Sequence, residues 1–116
     1  MKKMLLSAAF VAAVLVLTNC NSTKKLAAPP PAKKNYQTDM KALVAANCSP
    51  CHIPAYGGNK RPFDNYANLK TDIDGIISRI SMQPTDRGFM PFKRGRLSDS
   101  TIMVFKQWKA DGLLEQ

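Results

Sequence analysis

The sequence lacks most of what acid–base or nucleotide chemistry requires. Its 116 residues contain one histidine, His52, so no second imidazole is present to serve as a base. No pair of carboxylates has the spacing of an acid–base couple, and no glycine-rich phosphate loop occurs. Cysteine is limited to Cys20, Cys48 and Cys51. A tetrahedral zinc site built on Cys48 and Cys51 wants two further ligands, and Cys20 lies far upstream. No long Val/Ile-rich alternating strand precedes Cys48, so the βαβ context of a thioredoxin-like pair is missing. The longest apolar run, residues 4–17, is about 14 residues, short of the roughly 20 that span a bilayer.

Acidic residues are absent before residue 36, where Lys2, Lys3, Lys24, Lys25, Lys33 and Lys34 stand alone. The formal charge of +9 is therefore mostly an N-terminal property. From Tyr36 onward there are 11 basic and 8 acidic residues, a net of +3. A nearly neutral domain without a basic helix of interleaved aromatics argues against nucleic acid as a partner.

What is present begins with a leader. Met1-Lys2-Lys3 is a positive n-region, followed by the apolar run, in the form of a secretory signal over 1–19. Leu17-Thr18-Asn19-Cys20 resembles a bacterial lipobox, with leucine three residues before the cysteine. Thr18 and Asn19 depart from the usual small residues. Lipidation of Cys20 would use an otherwise odd cysteine and attach the chain to a membrane. Residues 20–35 read as a solvated tether, rich in proline, alanine and lysine. The expected location is the periplasmic side of a bacterial membrane.

Cys48-Ser49-Pro50-Cys51-His52 is C-x-x-C-H, the attachment signature of c-type haem. Two residues between the thiols let one turn of chain present both sulfurs to one edge of a porphyrin. The adjacent histidine then falls under the iron. A disulfide between Cys48 and Cys51 in a haem-free exported lipoprotein stays as a competing reading. The domain, residues 36–116, is about 80 residues, where a core of side chains alone is marginal. A covalently held apolar cofactor would complete it, and the cofactor-free chain is expected to fold poorly.

Periodicity predicts three helical stretches. Tyr36–Asn47 carries Met40, Leu43, Val44 and Asn47 at helical spacing, with Thr38 as N-cap. Residues 72–82 place Ile73, Ile76, Ile77 and Ile80 on one face, with Asp64 or Asn68 as cap before them and Pro84 as stop. The last helix opens at Ser98, buries Ile102, Phe105 and Trp108, and ends at Gly112. Residues 53–62 and 83–96 read as loops punctuated by glycine and proline.

Three pieces carry a family resemblance: Cys48–His52; Met90-Pro91 followed by Leu97-Ser98-Asp99; and V-F-K-Q-W-K-A-D-G from Val104 to Gly112. With these the domain resembles a small class I bacterial cytochrome c. The resemblance implies an all-α fold of three to four helices wrapped around one haem c, held through Cys48 and Cys51. His52 would be one axial ligand of the iron. For the other, the methionines after the motif are Met82, Met90 and Met103. The resemblance favours Met90, in G-F-M-P-F, where Pro91 stiffens the loop; Met82 and an open site are the alternatives. It further implies that a proline carbonyl orients the histidine, with Pro62 preferred over Pro54. Arg61 and Arg79 are candidates for the haem propionates. Phe89, Phe92, Phe105 and Trp108 are expected in the pocket or in helix packing, and Val44 against the C-terminal helix.

The implied function is electron transfer between redox partner proteins. No small-molecule substrate is implied and no enzyme activity. The alternative is an open-site haem enzyme or gas-binding sensor. The run Lys93, Arg94, Arg96 beside Met90 is a candidate patch for an acidic partner.

Overall fold

The computed structural model describes residues 28–116. The leader, the lipobox and Cys20 lie outside them. Within the described residues the chain from Pro31 to Gln116 folds as one unit of three α-helices with no strand. The all-α expectation holds at that level. No described helix is long and apolar enough to cross a membrane.

The first helical stretch has two parts. Tyr36–Met40 is a π-helical turn and α1 runs Lys41–Cys48. Asn35, not Thr38, is the cap: its side chain accepts from the Thr38 backbone N–H at 2.9 Å. The wider turn is fastened by Asp39, which accepts from the Asn35 backbone N–H at 3.0 Å and from Lys34 Nζ at 2.8 Å. Those bonds pull the Asp39 carboxyl down to about 2.

The middle helix, α2, runs Tyr66–Ser81, starting six residues earlier than the isoleucine pattern predicts. Its cap is Asn65, accepting from Asn68 N–H at 2.9 Å, so neither Asp64 nor Asn68 holds that role. Tyr66 and Leu69 extend the buried face N-terminally; polar residues between Leu69 and Ile73 hide the continuity. Leu69, Ile73, Ile76 and Ile80 fall at steps of four, three and four, which keeps them on one face. Ser98 caps α3, Asp99–Ala110, as expected, accepting from Thr101 N–H at 3.1 Å. Gly112, at φ 99°, turns the chain out of the helix, a conformation open to glycine at no steric cost.

The π-helical turn and α2 both pack on α3. Met40, Val44, Leu69, Phe105 and Trp108 are fully buried in one cluster. Trp108 Nε1 donates to the Leu114 carbonyl at 2.8 Å, and Tyr36 N–H donates to the same oxygen at 2.9 Å. Tyr66 Oη donates to Leu113 O at 2.9 Å. A parallel bridge between Asn35 and Leu114 thus ties both ends of the unit over the indole. This end of the core closes on protein side chains. The other end does not.

Candidate functional site

At the C-terminal end of α1 the core opens into a cleft of about 920 Å³. That is the upper end of the range for small-molecule and cofactor sites, roughly 300–1,000 Å³. Cys48, Cys51, His52 and Met90 all line it. Ile76, Ile80, Leu97 and Phe105 form an apolar lining from α2, the loop before α3, and α3. Met82 lines a separate groove with Arg79 and Arg87, and Met103 is exposed on α3. Of the methionines after the motif, Met90 alone therefore shares the cleft with His52.

The motif is a tight turn. His52 N–H donates to Cys48 O at 3.0 Å and Ile53 N–H to Pro50 O at 3.1 Å, closing a turn after Ser49 leaves the helix in an extended conformation. No disulfide joins the two cysteines. Burial pushes the Cys48 thiol up to about 11, against a smaller opposite pull from Arg94. A thioredoxin-like nucleophile has its thiol lowered, so the redox-pair reading loses ground. Among the described residues no three His, Cys, Asp or Glu side chains converge, so a bare metal ion would lack its ligand set.

His52 Nδ1 lies 2.8 Å from the Arg61 carbonyl oxygen. A carbonyl only accepts, so Nδ1 carries a proton, and Nε2 is the ring nitrogen that could serve as a ligand atom. The acceptor belongs to Arg61, not to Pro62 or Pro54. Pro62 follows it and limits the backbone of Arg61 to extended conformations, which helps aim that carbonyl. The imidazole also stacks on Phe63, with centroids 4.3 Å apart and planes 6° from parallel. Two contacts from loop positions on either side of Pro62 thus define the ring's position.

Two glycines shape the walls. A Cβ on Gly58 would meet Cys51 O at 2.6 Å and press on the Pro50 carbonyl, so this loop packs directly against the motif backbone. Gly75 lines the cleft from within α2, and a Cβ there would meet nothing within 4 Å. Glycine in a helix interior costs about 1 kcal/mol relative to alanine; here it leaves helix backbone open to a close-lying group. Together with the apolar lining, two unpaired thiols and an imidazole held through Nδ1, these features fit a covalently attached haem.

The other candidates separate. Arg61 and Arg79 both line the cleft, but Arg61 pairs with Asp72 of α2, and Arg79 donates to Gly88 O at 3.2 Å. Phe105 lies in both core and cleft; Trp108 lies in the core, away from the cleft lining. Val44 is a fully buried member of the cluster that contains both. Of the two places expected for Phe92, it takes the cleft: it lines the rim while 65% exposed and has no part in the helix-packing cluster. Arg96 of the basic run is engaged by Asp99 at 2.7 Å. Gly58, Phe63 and Asp72 escape sequence reasoning. The only signal for Phe63 was an aromatic isolated in a polar loop.

Comparison with protein-family models, with curated proteins and with solved structures finds no match to this chain.

Proposed function

We propose that the domain is a one-electron carrier that would hold haem c through Cys48 and Cys51, with His52 and Met90 as the side chains that would ligate its iron. The observation that supports this is the convergence of two free thiols, an imidazole held through Nδ1 and one thioether on a single apolar cleft. When bound, the haem supplies a reversible ferric/ferrous couple. The chain's own residues do the rest. The Arg61 carbonyl holds the proton on Nδ1 and leaves Nε2 as the donor atom. Ile76, Ile80 and Phe105 keep water off the site, which limits reorganisation when the charge changes. His/Met ligation favours the reduced state more than two nitrogen ligands do.

The leader and Cys20 extend the proposal to export and lipid anchoring on the periplasmic side of a bacterial membrane. The partners are redox proteins. The test is an absorption spectrum of oxidised and reduced protein, with covalent haem followed on a denaturing gel. Cys48→Ser with Cys51→Ser should abolish the covalent haem, and Met90→Ala the weak near-infrared band of methionine-bound ferric haem. A band that persists in Met90→Ala sinks the ligand assignment. Rapid carbon monoxide binding by the reduced wild type would instead favour an open-site sensor or enzyme.

A further inference from the structure

The segment 60–63 is the wall against which the motif is held. Lys60 N–H donates to Cys51 O at 3.0 Å, and Phe63 N–H donates to His52 O at 2.9 Å. Between them Arg61 turns its carbonyl to His52 Nδ1. Arg61 is therefore attached twice: its main chain to the imidazole, its guanidinium to the Asp72 carboxylate on α2. Among the described residues Asp72 has no other ion-pair partner. The pair is half-exposed, with side-chain exposures of 52% for Arg61 and 30% for Asp72. Such pairs add little to stability. Its geometric consequence is larger, because α2 is anchored in the core by Leu69 and Ile73, on either side of Asp72.

We propose that Asp72 is a positioning residue for His52: by fixing Arg61 to α2 it fixes the carbonyl that accepts from Nδ1, and so the orientation and basicity of the ring. This rests on the reading of His52 as the iron ligand. A firm Nδ1–H···O bond makes the imidazole a stronger donor and favours ferric iron. Loosening it favours ferrous iron and moves the reduction potential upward.

Charge alone makes a different prediction, which separates the two. Removing an anion in Asp72→Asn raises the potential by simple electrostatics, whereas removing a cation in Arg61→Gln lowers it. Positioning predicts an upward shift in both. The experiment measures the potentials of the haem-loaded wild type, Asp72→Asn, Asp72→Glu and Arg61→Gln. It also follows solvent exchange of the His52 Nδ1–H and the ring tautomer by nitrogen-15 NMR. Upward shifts in both disrupting variants, faster Nδ1–H exchange and restoration by Asp72→Glu support the proposal. Opposite shifts, or an unchanged exchange rate, overturn it. The NMR readout applies whether or not the wild type purifies with haem. Absence of haem in the wild type would sink the electron-carrier reading alone, and the exchange rates would still decide the role of Asp72.

Discussion

Gly58→Ala is the substitution to which the candidate site should be most sensitive without touching any proposed ligand. The added methyl would stand 2.6 Å from Cys51 O and 2.8 Å from Cys51 C, and closer still to Pro50 O. Ordinary contact begins at 3.4 Å, so the motif backbone must retreat by about 0.8 Å or more. Both carbonyls are engaged: Pro50 O accepts from Ile53 N–H at 3.1 Å and Cys51 O from Lys60 N–H at 3.0 Å. Overpacking of this kind costs about 1–3 kcal/mol, and each weakened hydrogen bond adds roughly 0.5–1.5 kcal/mol. The sum is about 2–6 kcal/mol, a large share of a small domain's stability. In a domain of this size that lowers Tm by on the order of 10–50 °C. Thermal unfolding by circular dichroism gives the first readout, and the yield of covalent haem the second, because displaced thiols no longer face the same cleft edge. Gly75→Ala is the control. Its methyl meets nothing within 4 Å and gains helix propensity of up to about 1 kcal/mol, so it should not destabilise the haem-free chain. A Gly58→Ala protein with wild-type Tm and wild-type haem yield would refute the packing argument.

Two further outcomes follow from the other end of the unit. Trp108→Ala removes a fully buried indole and its bond to Leu114 O, and should cost about 3–5 kcal/mol in chemical denaturation. Trp108→Phe keeps most of the volume and should cost only about 1–2 kcal/mol, since Tyr36 N–H still satisfies Leu114 O; equal losses in the two variants would contradict the packing account. Asp39 has its carboxyl held down at about 2 by Lys34, then by Asn35 N–H. Its stabilisation is present above the ordinary carboxylate value near 4 and is lost as pH falls through about 2. After discounting for solvent screening it amounts to on the order of 1 kcal/mol. Asp39→Asn should lower stability at pH 7 by that amount and flatten the pH 4 to pH 2 part of the profile. Asp111, bonded to Lys34 N–H at 2.7 Å and lowered likewise, should retain part of the acid dependence in that variant.

Much of the local structure was legible because adjacent residues create it. Cys48 and His52 sit within one turn of each other, so their proximity is a property of the covalent chain. Ser98 caps α3 because its hydroxyl reaches Thr101 N–H three residues on. Ile73, Ile76 and Ile80 share a face by the helical period. Cap assignments failed where a second polar residue stood nearby: Asn35 caps in place of Thr38, and Asn65 in place of Asp64 or Asn68. All are chemically able to cap, and only the backbone path selects among them.

The relations across sequence distance were decided by tertiary structure. Met90 and Met82 are both thioethers near the end of α2, yet only Met90 lines the cleft with His52. The fold of residues 83–96 separates them, and a loop without periodicity carries no record of where it runs. The same holds for the carbonyl that meets Nδ1. Any residue has a carbonyl, so composition could not mark Arg61, nor could it mark Asp72, eleven residues later, as its anchor. By itself the sequence determined the chemistry at Cys48–His52 and the helix faces beside it, because both depend on separations of a few residues. Only the tertiary structure decided which distant groups face that chemistry, because backbone direction and close packing set those distances.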